Sequence, residues 1–500
     1  MRNKFNYIST RGGAAPVLSA EAIVAGLAPD KGLYVPETLP KLFGEGIDRF
    51  DFATASQRGY HSVAEQTLMA FLTDFTRSEI ETCAAGAYDE KFDTAEIAPV
   101  TKAGGAYFLE LWHGGTAAFK DMALSILPYL LKVSLLKTGE EKKIVILTAT
   151  SGDTGKAALA GFADISGTEI IVFYPEEGVS AVQKRQMITQ TGDNVHVFGI
   201  KGNFDDAQSG VKRIFNDNQL ANELAEKGVR LSSANSINIG RLVPQVAYYV
   251  NAWLRLMATD EITKEESFNV CVPTGNFGNI LAAWYAKQLG VPIAQLICAS
   301  NENNVLTEFI RTGIYNTNRN FIMTSSPSMD ILISSNLERL LWHVSNGDSE
   351  RIASLMHHLD IDGTFNAVDL MSASQGEFFG GFATMQRSHA ELARLWNEDR
   401  YLIDTHTAVA YTVWKDYVAE TGDNTKTLIT STASPYKFAD SVAATLGLGS
   451  EEDEFAYIEK IRDYTGVPIP YGLVDLDKKA VLHDEIISRE DIKEAVKRSV

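Results

Sequence analysis

The sequence predicts an α/β protein built mainly on parallel sheet, preceded by a helical segment. From about residue 96 onward, short apolar or β-branched runs lead into glycine-rich turns and then into helical patterns, an alternation typical of parallel sheets. The predicted strands are Lys143–Thr148, Glu169–Tyr174, Asn269–Val272, Ile293–Cys298 and Leu428–Ser431. Residues 1–95 instead carry helix-spaced apolar residues and a capping box at Thr76–Glu79. We therefore expect an N-terminal helical domain at 1–95 and a larger region at 96–500.

One stretch of the larger region does not follow this alternation. Residues 313 to about 400 mix asparagine- and serine-rich turns with amphipathic helices such as Ser349–Leu359. We expect this stretch, 313–400, to be an insertion that covers the core.

Composition and charge exclude several classes of protein. The chain has 45 basic and 64 acidic residues, a net charge of −19 and no clustered basic stripe, which argues against a nucleic-acid partner. Its three cysteines are widely spaced, so neither a disulfide framework nor a zinc knuckle is indicated. The longest apolar stretch, Met122–Leu136, contains a proline and a lysine and is too short to span a bilayer. We expect a cytoplasmic protein without a membrane partner.

Lys120 is the first candidate functional residue. It follows Ala117, Ala118 and Phe119 and precedes Met122, so a lysine stands in an apolar segment rather than on a solvated surface. Burial lowers the pKa of a lysine and makes the neutral amine available as a nucleophile. The sequence thus favours a chemical role for Lys120 over that of a surface lysine.

Two glycine-rich loops follow predicted strands and open helices, the usual position of a ligand in a parallel α/β fold. Residues 275–279 combine glycines with a helix N-terminus, which suits a phosphate, although an ordinary tight turn is the alternative. Residues 151–155 suit a carboxylate or phosphate, with a simple helix cap as the alternative. Lys156, just behind that loop, is better explained as a solvated lysine than as a ligand. Neither loop satisfies the dinucleotide or P-loop pattern.

A third polar segment, Ser232–Arg241, joins small polar residues to one arginine and can clamp a second phosphate. A polar loop with a structural arginine is the alternative. The nine histidines are scattered and no H-E-x-x-H, G-x-S-x-G or zinc-type spacing is present, so metal catalysis and serine hydrolysis are poorly supported.

Taken in order, these motifs resemble the threonine synthase family, pyridoxal-phosphate enzymes of the tryptophan-synthase β-like fold, in the longer form with an extra N-terminal domain. The resemblance covers nearly the whole chain and is carried by Tyr7–Gly12, Gly26–Tyr34, His113–Asp121, Ala149–Gly155, Thr274–Asn279 and Thr430–Phe438. It implies two open, mainly parallel sheets with flanking helices. It also implies pyridoxal 5'-phosphate as cofactor, O-phospho-L-homoserine as substrate and a monomer or homodimer.

The same resemblance implies a role for each matching residue. Lys120 would bond the cofactor aldehyde and act as the catalytic base. The cofactor phosphate would be held by Gly275, Asn276, Phe277, Gly278 and Asn279. Thr432 would approach the pyridine nitrogen and Asp153 the ring oxygen. The substrate would contact Thr150, Ser151 and Thr154, and its phosphate would contact Asn235, Ser236 and Arg241.

Two positions depart from the family pattern. The family more often has proline where this chain has Gly115, and commonly has histidine where this chain has Ser434. The implied reaction forms L-threonine and phosphate from O-phospho-L-homoserine and water. The departures keep open a phospholyase that releases a 2-oxo acid, ammonia and phosphate. A non-catalytic cofactor-binding protein is a further alternative, against which the intact Lys120 and Asp153 argue.

Overall fold

The structure of the chain is a computed structural model, which describes residues 4–44, 47, 49–150, 152–177, 179–374, 376–451 and 453–500. The strands are β1 Tyr7–Ser9, β2 Tyr34–Pro36, β3 Val100–Ala103, β4 Ala106–Glu110, β5 Lys143–Ala149, β6 Thr168–Pro175, β7 Val195–Ile200, β8 Val229–Ser232, β9 Phe268–Pro273, β10 Ile293–Ser300, β11 Ile314–Asn316, β12 Thr364–Asn366, β13 Phe378–Phe382, β14 Thr427–Ser431 and β15 Ile486–Ile487.

The helices are α1 Ser19–Ala25, α2 Phe52–Arg58, α3 Tyr60–Phe71, α4 Arg77–Ala87, α5 Asp121–Leu124, α6 Leu127–Thr138, α7 Asp153–Phe162, α8 Ala181–Ile188, α9 Phe204–Phe215, α10 Asn218–Glu226, α11 Ile239–Ala258, α12 Gly278–Leu289, α13 Val305–Thr312, α14 Leu337–Val344, α15 Ser349–Asp362, α16 Val368–Ala373, α17 Met385–Asp399, α18 Thr405–Thr421, α19 Ala439–Thr445, α20 Glu454–Thr465 and α21 Ile492–Arg498. Short 3-10 helices lie at Pro327–Met329, Pro435–Phe438, Tyr471–Leu473, Leu476–Lys478 and Arg489–Asp491. In the part of the chain that the structure describes, no helix is both long and apolar enough to cross a membrane.

Two open sheets organise the larger region. The first has the strand order β13-β10-β9-β14-β4-β3 and is parallel except for the antiparallel edge strand β3. The second has the order β15-β7-β6-β5-β8 and is parallel throughout. The α/β fold with two open, mainly parallel sheets is therefore confirmed. Five of their strands, β5, β6, β9, β10 and β14, correspond to predicted ones, while β3, β4, β7, β8, β13 and β15 have no counterpart among the predicted strands.

The N-terminal part is mostly helical and packs directly on the larger region. β1 and β2 form an antiparallel pair, and the predicted capping box begins α4, where the Thr76 hydroxyl accepts from the Glu79 N–H. The Tyr7 hydroxyl donates to the Phe71 carbonyl at 3.1 Å, which ties β1 to the end of α3. The buried side chains of α3 and α11 belong to one hydrophobic core. The domain boundary near residue 95 stays a prediction.

We expect Leu68→Ala to lower the free energy of unfolding by about 2–5 kcal/mol, because Leu68 is fully buried in α3 and its truncation leaves a cavity in this shared core. Urea unfolding followed by tryptophan fluorescence measures the change. The matched control is Leu136→Ala on α6, where the side chain is 78% exposed and a change within about 0.5 kcal/mol is expected. Equal losses in the two variants would contradict the core assignment.

Candidate active site

The backbone before Lys120 is held against the end of β14. Ala118 and Ala433 form an antiparallel bridge, and the Phe119 N–H donates to the Thr432 carbonyl at 2.8 Å. Lys120 follows directly and stands at the N-terminus of the short helix α5. Thr432, predicted to lie at the cofactor, is buried. The hydrogen bond to its carbonyl fixes it next to the segment that carries Lys120.

Lys120, in the segment after β4 of the first sheet, contacts Asp153, in the segment after β5 of the second sheet. Asp153 is the first residue of α7, directly behind the glycine-rich turn that follows β5. The Lys120 Nζ lies 3.4 Å from Asp153 Oδ2, and the two side chains are 14% and 5% exposed. Two residues that the sequence predicted for one site are thus in contact.

Burial and neighbouring charges act on both groups. Burial lowers the pKa of the Lys120 amine; Asp153 opposes this, while the like charges of Arg241 and Lys437 lower it further. Burial alone would raise the pKa of the Asp153 carboxyl, but Lys437 and Lys120 hold it well below its usual range. Asp153 is therefore an anion, and the Lys120 ammonium loses its proton more readily than that of a surface lysine.

Asp153 has further partners from distant parts of the chain. Gln183 Nε2 donates to Asp153 Oδ1 at 2.8 Å, and the Ser328 hydroxyl donates to Oδ2 at 3.1 Å. The Ser328 N–H in turn donates to His406 Nε2 at 3.1 Å. Ser328 lies within the stretch 313–400, so the expected insertion contributes a side chain to the site itself.

Lys437 is the main residue that the sequence reasoning missed. Its side chain is fully buried, and its Nζ lies 3.1 Å from Asp153 Oδ1, 2.8 Å from the Thr116 carbonyl and 2.7 Å from Gln186 Oε1. A signal was present, because Lys437 stands between Tyr436 and Phe438 much as Lys120 stands in its own apolar segment. No comparable signal marks Gln183 or Ser328.

The loop at 275–279 leads into α12, which begins at Gly278. Phe277 adopts the left-handed conformation with φ +62°, which turns the chain sharply into the helix. Asn279 Oδ1 accepts from the hydroxyls of Tyr248 at 2.8 Å and Tyr249 at 2.5 Å. Asn279 Nδ2 is buried and has no hydrogen-bond partner among the described residues. A buried donor without a partner at a helix N-terminus suits an anionic ligand.

Gly275 has a packing reason to be glycine, in addition to the role in a phosphate loop that the sequence predicts. A Cβ at this position would lie 2.7 Å from the Ser328 carbonyl oxygen, because the segment around Ser328 packs directly on the loop. The Ser334 hydroxyl also donates to the Gly275 carbonyl at 2.7 Å. The close approach here is that of another backbone segment of the same chain.

The turn before α7 has the hydrogen bonds of a helix cap, the alternative left open above. The Thr150 hydroxyl accepts from the N–H groups of Gly152 at 3.0 Å and Gly155 at 2.9 Å. Thr154 is half-buried in the first turn of α7, and Ser151 lies outside the described residues. Lys156, expected to be solvated, is half-buried and its Nζ donates to Gln190.

Arg241, in the first turn of α11, is a buried cation whose donors are not all used. Its Nη1 donates to the Ala234 carbonyl at 2.8 Å, while its buried Nε has no hydrogen-bond partner in the described parts of the chain. Burial lowers its pKa to about 10. Asn235 is exposed and Ser236 is half-buried. A buried guanidinium with an unused donor beside Lys120 suits a phosphate.

A second buried arginine connects the segment 232–241 and the loop 275–279, both predicted to bind an anion, to the N-terminal part. Arg339 is fully buried; its Nε donates to the Tyr34 carbonyl at 2.9 Å, and its two Nη groups donate to Asn336 Oδ1 and the Ile237 carbonyl. Asn336 Nδ2 donates to the Asn276 carbonyl at 3.0 Å. One guanidinium thus holds β2, the loop before α11 and the loop before α12 together.

Of the two departures from the family pattern, Ser434 has a local explanation, whereas nothing in the structure explains the glycine at position 115. A Cβ on Gly115 would meet no atom within 4 Å, whereas its carbonyl packs so closely on Gly472 that a Cβ there would lie 2.1 Å away. Ser434 is fully buried and its hydroxyl accepts from the Tyr436 N–H at 3.3 Å, which caps the 3-10 helix that carries Lys437.

Comparison with known proteins agrees with this geometry. Residues 6–88 match the family described as threonine synthase N terminus, and residues 98–432 match the family described as pyridoxal-phosphate dependent enzyme. Threonine synthase of Pseudomonas aeruginosa is 37% identical over 87% of this chain and 89% of its own length. Threonine synthase-like 1 of Homo sapiens is 38% identical over 90% of this chain, which spans 61% of that protein's length.

The crystal structure of PLP-bound threonine synthase from Brucella melitensis has a TM-score of 0.86 and 34% identity, with 99% of each chain covered. Sequence, fold and site geometry agree, and the chain therefore belongs to the threonine synthase family of pyridoxal-phosphate dependent enzymes.

Proposed function

We propose that this chain converts O-phospho-L-homoserine and water to L-threonine and phosphate. The observation that carries the proposal is the buried Lys120 amine, which contacts Asp153 and lies within reach of the charge of Arg241. Family membership supports the same reaction. Lys120, Lys437 and Arg241 form a basic cluster around Asp153, and such a cluster suits ligands that carry phosphate.

The residues fit pyridoxal 5'-phosphate. Lys120 offers an amine to its aldehyde, while Asn279 Nδ2 and the N-terminus of α12 offer donors to its phosphate. Thr432, which is hydrogen-bonded to the lysine segment, would be available to the pyridine nitrogen of the cofactor. When bound, the cofactor supplies an aldehyde that bonds amines and a ring that withdraws electrons from the neighbouring carbon.

Lys120 is the group we assign to proton transfer. Its lowered pKa increases the fraction of neutral amine near neutral pH, which a general base requires. In the proposed reaction it takes protons from Cα and Cβ of the substrate. After phosphate has left Cγ, protons return to Cγ and Cα, and water supplies the hydroxyl at Cβ. Asp153, fixed by four side chains, faces the ring oxygen in this proposal.

Arg241 is the group we assign to the departing phosphate, together with Ser236 and Asn235. The unused Nε donor of Arg241 supports this role, because a buried donor gains a partner when an anion binds. Negative charge that develops on the leaving oxygen would be stabilised by the guanidinium.

We also propose that the chain acts in the cytoplasm as a monomer or homodimer. Its three cysteines are buried free thiols, which suits a reducing compartment.

The first test is product identification after incubation with O-phospho-L-homoserine. We expect L-threonine and one equivalent of phosphate, measured by mass spectrometry and phosphate assay. Phosphate with 2-oxobutyrate and ammonia but no threonine would assign the phospholyase instead, and would make Gly115→Pro and Ser434→His the next variants. Absence of any product from the loaded protein would overturn both.

Lys120→Ala should abolish turnover and the visible absorbance of the bound cofactor, because no other residue is proposed to supply the amine. Absorbance spectra and threonine formation measure the two effects. Lys102→Ala is the matched control, since the Lys102 side chain is 59% exposed in an ion pair with Glu261 and should be dispensable. Turnover retained by Lys120→Ala would contradict the assignment.

Arg241→Gln should lower kcat/KM for the phosphorylated substrate roughly ten- to hundredfold, as expected for loss of about 1.5–3 kcal/mol from a hydrogen bond to a charged group. Cofactor affinity should change little if Arg241 contacts the substrate phosphate. Arg230→Gln, which breaks a surface pair with Glu140, is the control. If only cofactor affinity falls, Arg241 belongs to the cofactor phosphate instead.

A further inference from the structure

Lys437 has the contacts of a lysine that is used for its charge and not as a nucleophile. The carboxylate of Asp153, the carbonyl of Thr116 and the amide oxygen of Gln186 surround its Nζ, and all three are acceptors. An ammonium group has three donors, so each one finds a partner. The side chain is fully buried and no donor is left for a ligand.

Lys120 has the opposite arrangement. Its Nζ has a single hydrogen bond among the described contacts, to Asp153 at 3.4 Å, which is long for a charge-assisted bond. The two lysines approach different oxygens of one carboxylate, Lys437 at Oδ1 and Lys120 at Oδ2. Gln183 adds a second donor at Oδ1 and Ser328 a second donor at Oδ2. Asp153 therefore cannot turn both oxygens toward Lys120.

The other charged groups around this pair also have defined partners. Asp121, on the Thr116 side of Lys437, accepts from the Thr116 N–H at 2.8 Å and hydroxyl at 2.6 Å. Arg241 acts on Lys120 from α11, and Lys156 donates to Gln190. No carboxylate other than Asp153 makes an ion pair with Lys120 or Lys437 among the described residues.

We propose that Lys437 is a positioning residue that acts through Asp153. By holding one carboxylate oxygen and adding a second positive charge, it keeps Lys120 available as a free amine for the cofactor aldehyde. The inference rests on the proposed function, in which Lys120 bonds that aldehyde. Without Lys437, Asp153 becomes a full ion-pair partner of Lys120 and a repelling charge disappears. Both changes stabilise the protonated form of Lys120 and raise the pH at which its amine becomes reactive.

The test follows the rate at which full-length protein, stripped of cofactor, captures added pyridoxal phosphate between pH 6 and 10. We expect Lys437→Met to shift the midpoint of the rate profile upward by about one pH unit or more, as loss of a nearby charge predicts. Lys437→Arg, which keeps the charge, should leave the midpoint close to that of the wild type. Lys102→Met, which removes an exposed lysine paired with Glu261 far from Asp153 in the contact network, should leave the midpoint unchanged.

Two further variants decide between positioning and plain structural support. Circular dichroism reports whether Lys437→Met folds. If it does not, Lys437→Gln, which also removes the charge, replaces it in the comparison of midpoints with the wild type. If Lys437 acts through Asp153, its substitution should shift the midpoint less in an Asp153→Asn background than in the wild-type background. An unchanged midpoint with only a lower amplitude or lower thermal stability would overturn the proposal. Failure of wild-type protein to capture cofactor at Lys120 would instead overturn the proposed function.

Discussion

The buried carboxylate of Asp153 is the interaction on which the rest of the site depends. Asp153 is the first residue of α7, which follows strand β5 of the second sheet. It interacts with donors from the segment after β14, from α8 and from the segment that contains Ser328. An anion in such surroundings is tolerated only because two lysines and two neutral donors surround it. The same carboxylate brings Lys120, from the loops of the first sheet, to the second sheet.

Two buried hydrogen-bond donors near the predicted anion loops have no acceptor among the described residues. Asn279 Nδ2 and Arg241 Nε are both buried, and both lie in segments that begin helices. Buried polar groups normally find partners, and these two donors are the ones that the proposed function assigns to anionic ligands. In that proposal the phosphate of the cofactor would be the partner of Asn279 and the phosphate of the substrate the partner of Arg241.

The sequence could predict those parts of the site that local pattern determines. Strand, glycine-rich turn and helix recur, so the loop at 275–279 could be placed at the end of a strand before any contact was known. Lys120 was recognisable because a lysine in an apolar segment is unusual, and Lys437 carried the same signal. Ser328 and Gln183 could not be found, because only the packing of distant segments brings them to Asp153. The packing constraint on Gly275 could not be predicted either, because the atom that excludes a side chain there belongs to the distant residue Ser328.

The position of Arg339 has a thermodynamic consequence for the N-terminal part. Its guanidinium donates directly to β2 and to the Ile237 carbonyl before α11, and Asn336 connects it to the loop before α12, so that both loops proposed to bind phosphate are joined to β2. A ligand that binds only when these loops are ordered must add its binding free energy to the stability of everything that Arg339 holds. Ligand saturation and N-terminal order are then linked quantities, each favouring the other by the same amount. Under that linkage, the antiparallel pair of β1 and β2, remote from the chemistry in sequence, would report whether the site is filled.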